Sequence, residues 1–173
     1  MKVLESLTED SDAFEHTLVM GFNPEPRFLD RFLVPALRRQ GVRNIIVAAD
    51  AQATSQGLVE WGDGLRGLGR SWLLWPVRAP VRFHPKLIVQ AGRTDLRVFV
   101  GSGNPTHAGL SRNAEVWTRF DCDMRTAPSA VARSALEYVI DVLSAEPGNT
   151  ARRAALAALL DAPSAVHGRI TDP

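Results

Sequence analysis

The chain is short of several residue types and patterns that would place it in a class outright. It has one cysteine in 173 residues, Cys122, so it has no internal disulfide framework and no zinc site built mainly on thiolates. A reducing compartment, the cytoplasm, is the expectation. Cys122 stands between Asp121 and Asp123, whose negative charge disfavours a thiolate, so it reads as inert. The longest apolar run, around Ile45 to Ala49, is far shorter than the roughly 18–20 residues that span a bilayer, so an integral membrane protein is not expected. Glu5, Glu9, Asp10, Asp12 and Glu15 interrupt any apolar core a secretory leader would need. Large net charge is missing too: +1 overall, with an isoelectric point near 8.0. That excludes a global polycation. There is no internal repeat and no biased stretch longer than an alanine-rich patch near 151–160.

What is present is the composition of a chain able to bury a core: 45% hydrophobic and 23% charged residues, with a mean hydropathy of −0.07. At roughly 100–200 residues per domain, one globular domain fits. We divide it into a main domain over residues 1–146 and a C-terminal helix and tail over 147–173. Charge is unevenly spread. Residues 1–15 carry five acids and one lysine, whereas Arg66, Arg70, Arg78, Arg82, Lys86, Arg93 and Arg97 face Asp95 alone over residues 66–97. A polyanion would be expected over that second segment.

The pattern of elements predicts an α/β protein. His16 to Phe22 reads as a strand closed by Asn23-Pro24. Phe28, Leu29, Phe32, Leu33, Ala36 and Leu37 recur at helical spacing over Arg27–Arg39, entered at Pro26 and stopped at Gly41. Asn44 to Ala49 is a continuous apolar strand, so strand, helix and strand make a βαβ unit with parallel pairing. Residues 50–70 are glycine-rich and only weakly helical, around Gln56–Trp61. Further strands are predicted at Ser71–Pro76, Phe83–Gln90, Asp95–Gly101 and Asn113–Asp121, with Ala91 to Thr94 as a hairpin loop. A mixed central sheet flanked by helices results. Two helices close the chain, over about 128–145 and 151–160, and the last dozen residues read as a tail. The pair Trp72 and Trp75 is expected in the core rather than on a base-stacking surface.

The chemistry concentrates in three short stretches. On the strand Phe83–Gln90 alternation sends His84 and Lys86 to one face, so an imidazole and an ammonium share a surface. The next strand leads into Gly101-Ser102-Gly103-Asn104-Pro105-Thr106, where Ser102 and Asn104 offer a hydroxyl and an amide, and glycine lets backbone approach a ligand. Glu115 arrives from the strand after that loop. Phosphate chemistry calls for this set: a nucleophile, positive charge, donors for the equatorial oxygens and a group that fixes the imidazole. Trp117 shares a face with Glu115 and is the candidate for a site wall. The histidines have no metal-ligand spacing, so neither a metal nor another cofactor is called for. Gly101-x-Gly103 lacks the third glycine of a dinucleotide loop. Ser102 lacks the Gly-x-Ser-x-Gly elbow of a hydrolase nucleophile.

The ordered string His84-x-Lys86, Gly101-Ser102-x-Asn104-x-Thr106, Gly109-Leu110 and Asn113-x-Glu115 resembles the phospholipase D superfamily, the HKD phosphodiesterases, and the elements from His16 to about Leu143 resemble one half of that fold. One position departs: the aspartate usual five residues after the lysine falls on Ala91, and Asp95 is four positions late. The resemblance implies that His84 attacks phosphorus and forms a phosphohistidine. Lys86, Asn104 and Ser102 then hold the non-bridging oxygens, Glu115 orients His84, and Thr106, Asn113 and Trp117 support the site. A single imidazole cannot be nucleophile and general acid in one step. His16, His107 and His167 are not followed by lysine two residues on, so one HKD half per chain implies a homodimer joining two His84 side chains across a two-fold axis, or a second half in a longer polypeptide. The function implied is metal-independent phosphodiester cleavage with DNA as substrate and no membrane partner. Two alternatives stand beside it: a catalytically silent nucleic-acid-binding or assembly module, and a phospholipid phosphodiesterase. Loss of activity in His84→Ala separates enzyme from module.

Overall fold

The computed structural model describes residues 3–9, 13–126 and 129–164; the final residues of the expected tail, with His167, lie outside them. Six strands, β1 (His16–Gly21), β2 (Asn44–Asp50), β3 (Leu73–Val77), β4 (Leu87–Ala91), β5 (Asp95–Gly101) and β6 (Trp117–Asp123), form one sheet in the order β3-β2-β1-β4-β5-β6. β1, β2 and β3 run parallel, and β4, β5 and β6 alternate antiparallel from β1 outward. The mixed sheet predicted from the sequence is therefore what the chain forms.

The parallel half is built by crossovers, as parallel pairing requires. A short helix α1 (Val3–Ser6) precedes β1, helix α2 (26–39) joins β1 to β2, and α3 (Ala51–Trp61) leads from β2 toward β3. Helices α4 (Ala130–Ala145) and α5 (Thr150–Ser164) come after β6, α4 capped by Ser129 Oγ, which accepts from Ala132 N at 3.2 Å. Strand alternation sorts the core into two layers. Leu18, Met20, Ile46, Trp75 and Val89 face α4 and α5, whereas Val19, Ile45, Val47, Ile88 and Phe99 face α1 and α2. Ala155, Leu156 and Leu159 of α5 belong to the first layer, so the C-terminal helix is part of the same core as residues 1–146. Trp72 and Trp75 are 1% and 0% exposed, which makes them core residues as predicted. Among the described residues no helix is long and apolar enough to cross a membrane.

Two expected elements differ in ways that have local causes. Helix α3 begins at Ala51, not near Gln56, because Asp50 at the end of β2 caps it: Asp50 Oδ1 accepts from Gln52 N and Ala53 N at 3.0 and 3.1 Å, satisfying two donors that a helix start leaves open. Helix α2 contains a wider π turn over Leu29–Leu33, closed by Val34 N to Leu29 O. Pro35 has no N–H for the carbonyl four residues back and its ring crowds that carbonyl, so the ladder steps out by one residue. Residues in the turn leave the 3.6 register. Phe32, predicted on the apolar face, is 64% exposed, while Phe28, Leu29 and Leu33 stay buried.

Ala91, which stands where the HKD pattern has aspartate, ends β4 between His16 and Leu96 and is fully buried in the apolar layer. At about 3.3 Å per residue it lies roughly 16 Å along the strand from Lys86. The missing carboxylate belongs to the far end of the strand, and the alanine there suits its apolar surroundings.

Candidate active site

The parallel strands β1, β2 and β3 and the end of β5 converge at one edge of the sheet, where β4 and β6 begin; ligands bind outside the carboxyl ends of strands in open α/β sheets for this reason. His84 and Lys86 lie there, but on the irregular approach to β4 rather than inside it. The strand predicted from Phe83 starts at Leu87, because Pro85 cannot donate to a ladder and regular pairing begins only beyond it. Lys86 is already tied to the neighbouring strand, its carbonyl accepting from Gly101 N at 3.0 Å. This brings the His84 segment beside the Ser102 loop.

The imidazole and ammonium meet as the sequence implied. Lys86 Nζ is 3.1 Å from His84 Nδ1 and donates to His84 O at 3.3 Å. Nζ also lies 3.4 Å from His84 Nε2, and the tautomer decides which ring nitrogen accepts from the ammonium. His84 is exposed. Its ring packs 5.0 Å from the Phe22 ring, and the Arg82 guanidinium lies 5.3 Å from the Phe22 centroid. Arg82 belongs to the basic segment expected to meet a polyanion, whereas Phe22 carries no spacing signal in the sequence. Burial lowers the Lys86 pKa, and the nearby Glu115 carboxylate only partly opposes it.

The loop after β5 is shaped by close backbone approach. A Cβ on Gly103 would sit 2.2 Å from Gly109 O, and one on Gly109 would sit 2.4 Å from Asn104 O, so side chains are excluded at this crossing. Thr106 Oγ1 accepts from Gly109 N at 2.9 Å and holds the adjoining π turn, Ala108–Arg112, which Asn113 N closes onto Ala108 O. That bond keeps Asn113 in the turn, and β6 starts at Trp117 rather than at Asn113. Ser102 continues the β5–β6 ladder, donating from N to Val116 O at 3.0 Å while its Oγ accepts from Val116 N at 3.1 Å.

Glu115 is held by partners other than the expected one. Ser102 Oγ donates to Glu115 Oε2 at 2.5 Å and Asn113 Nδ2 donates to Glu115 Oε1 at 3.2 Å. The Ser102 bond, then the Asn113 bond, then the charge on Lys86 hold the carboxyl below its ordinary range. Among the described residues Glu115 makes no hydrogen bond to His84; the group on the imidazole is Lys86. Among the described residues Asn104 Oδ1, an acceptor, is buried without a hydrogen-bond partner. Trp117 lies on Gly101, where a Cβ would meet its ring at 2.4 Å, and packs against the α2 layer. Glu115 and Trp117 are both half-buried with the exposed Val116 between them.

Asp50 is a positioning residue that the sequence reading passed over. Besides capping α3, its Oδ2 accepts from Phe83 N at 3.0 Å, tying the residue before His84 to the end of β2. An acidic residue between an apolar strand and an alanine-led helix is a capping signal that could have found it. Burial raises its pKa, but the N–H groups of Phe83, Ala53 and Gln52, with Arg82, outweigh that and leave it lowered. A depressed carboxyl stabilises the fold above its unfolded pKa near 3.9 and loses that contribution as pH falls through the folded value. Asp50→Asn, which leaves one buried N–H without a full acceptor, is expected to cost about 1–3 kcal/mol and lower the melting temperature by several degrees. Thermal denaturation at pH 7 checks this, and an unchanged melting point would refute the tether.

Two members of the basic segment are already committed. Arg97 is 3% exposed, pairs with Asp121 at 2.6 Å and donates to Ser6 O and Glu9 O. Arg78 pairs with the buried Glu146 at 3.6 Å. The cation expected from Arg97 is therefore structural.

No family model and no curated protein matches the sequence. Solved structures are similar over most of the chain. NucT from Helicobacter pylori superposes with a TM-score of 0.54 at 16% identity, covering 85% of this chain and 91% of that one. The phospholipase D family member Nuc from Salmonella typhimurium gives 0.51 at 17% identity, covering 83% and 88%. Polyphosphate kinase from Porphyromonas gingivalis gives 0.50 at 12% identity, covering 83% of this chain and 24% of its own. This chain has the fold of the phospholipase D superfamily, as the motif order implied.

Proposed function

We propose that the chain is a phosphodiesterase of the phospholipase D type that cleaves nucleic acid, DNA in the first place, through a covalent phosphohistidine on His84. The observation that carries this reading is the exposed His84 imidazole, held by the Lys86 ammonium at 3.1 Å beside the Ser102 and Asn104 loop. In the first step a neutral ring nitrogen of His84 attacks phosphorus, the P–N bond forms and the bond to the leaving ester oxygen breaks, that oxygen taking a proton. In the second step water attacks phosphorus, gives up a proton and breaks the P–N bond, which returns His84. The Lys86 ammonium neutralises the equatorial oxygens and the Asn104 side-chain NH2 donates to them, where charge gathers in both transition states. Ser102 is the donor that holds Glu115 in this structure, so its part is to keep that carboxylate beside Lys86. The histidine nucleophile and the lysine together supply what a metal would otherwise provide.

The proton for the leaving oxygen needs a second imidazole. His16 begins β1 at the opposite end from Gly21 and the site, roughly 16 Å away along the strand, and the His107 ring lies 5.5 Å from Phe28. The family this chain resembles pairs two motif-bearing halves, so we place the second imidazole in a second copy of the chain, with two His84 side chains facing across a two-fold axis. Val81, Val100 and Val116, exposed beside the His84 and Ser102 segments, supply apolar surface for that contact.

The covalent intermediate is the test. DNA labelled at internal phosphates, incubated with the protein and quenched in alkaline detergent, is expected to leave label on the wild-type chain and none on His84→Ala. Cleavage without any protein-bound label would reject the phosphohistidine.

A further inference from the structure

A groove of about 330 Å³ opens where α1, α2 and the turn after Thr106 meet, at the small end of the roughly 300–1,000 Å³ typical of ligand pockets. Its floor is aromatic. Phe28, 2% exposed, stacks on Phe32 with centroids 6.3 Å apart and planes 19° apart, and the His107 ring lies 5.5 Å from Phe28. Single exposed apolar side chains are common and need no explanation. Phe32 is different because the π turn forced by Pro35 presents it, 64% exposed, beside two guanidinium groups. Arg27 lies over the Trp61 ring at 4.6 Å, and Arg31 makes no ion pair among the described residues. Among the described residues Glu25 is the one acid lining the groove, and it is engaged: its Oε2 accepts from His107 N at 3.0 Å.

The groove is continuous with the catalytic loop. Asn104 and His107 are three residues apart, at most roughly 10 Å of chain, and Glu25 N donates to Pro105 O at 3.1 Å. The groove therefore lies within reach of a nucleotide that flanks a phosphate held at the loop. Flat rings flanked by arginines are what an unpaired base and its phosphate recognise, by stacking and by charge, without reading sequence. Bases inside a duplex have no free face to offer.

We infer that this groove binds an unpaired nucleotide flanking the scissile phosphate, the base on Phe32 and His107 and the phosphate at Arg31, which gives the enzyme a preference for single-stranded substrate. The inference rests on the nucleic-acid reading of the site. Its test uses two readouts. Binding of a labelled 12-nucleotide single strand and of the matching duplex is measured by fluorescence anisotropy in a His84→Ala background. Hydrolysis of bis(p-nitrophenyl) phosphate, which has no flanking nucleotide, is measured with His84 intact.

Phe32→Ala is expected to weaken single-strand binding about tenfold, the loss of one base–aromatic stack. Arg31→Gln is expected to weaken it and to flatten its salt dependence. Both variants should leave duplex binding and small-diester hydrolysis within about twofold of the parent. Single-strand affinities unchanged in both variants, with the parent binding DNA and hydrolysing the small diester, would overturn the groove while sparing the active-site reading. A parent that hydrolyses the small diester but binds no nucleic acid would overturn both the DNA assignment and the groove. Conversion of a dimer to a monomer by Phe32→Ala would overturn the inference by showing that a second copy covers this surface.

Discussion

Replacing His84 with alanine is expected to slow DNA cleavage on the order of 10⁴-fold or more while leaving the melting temperature within about a degree of wild type. The kinetic half stems from the role proposed for the side chain. A nucleophile that forms the covalent intermediate has no substitute, and removing one typically abolishes nearly all of the rate that its group of residues supplies together. The stability half stems from its surroundings. His84 is exposed, and its ring touches the Phe22 ring and the Lys86 ammonium rather than the core. Phe83, next to it, is buried and held by Asp50, so the backbone stays in place without the imidazole. In a homodimer, mixing wild type with His84→Ala would produce heterodimers with one imidazole each. If the second imidazole comes from the partner, these should be as inactive as the variant homodimer, and activity should fall with the square of the wild-type fraction. A linear fall would mean that each chain acts alone.

Lys86→Met is expected to lower cleavage about 10²- to 10³-fold, the usual effect of losing one charged donor at the developing oxyanion. Methionine keeps all but the last atom's length of the side chain, so packing against the segment changes little. The ammonium also predicts a pH dependence. Burial disfavours its charged form and lowers its pKa, against the opposing pull of Glu115, so a rate that needs the ammonium falls as pH rises through a value below the ordinary lysine pKa of about 10.4. Lys86→Arg should move that alkaline limb upward, because a guanidinium stays protonated. Glu115→Gln should move it downward, because the carboxylate that favours the charged lysine is gone. Identical alkaline limbs in all three proteins would show that Lys86 does not control them.

The sheet was legible because burial on both faces leaves a continuous apolar run, as at Asn44–Ala49, and because a periodic helix between two such strands forces parallel pairing. His84, Lys86, Ser102 and Asn104 were legible as a set because short spacings on neighbouring strand ends survive errors of a few residues in where each strand begins. The features that escaped depend on single bonds. Pro35 widened a turn of α2 and turned Phe32 outward, which no average periodicity anticipates. Period-two alternation over Phe83–Gln90 takes no account of Pro85, and the two catalytic candidates only precede the strand. Glu115 was paired with His84 from the motif, but Ser102 and Asn113 hold its carboxylate through a loop whose path depends on the Gly103–Gly109 crossing. Phe22 reaches His84 from the end of another strand, a contact that exists only in three dimensions.

The most direct test of a histidine-dependent nuclease is cleavage of labelled single- and double-stranded DNA in excess EDTA, with wild type and His84→Ala side by side. Cleavage by wild type at a rate indifferent to EDTA, absent in the variant and faster on single strands, is the predicted result. Cleavage that persists in His84→Ala, that stops in EDTA, or that wild type fails to perform at all would contradict it.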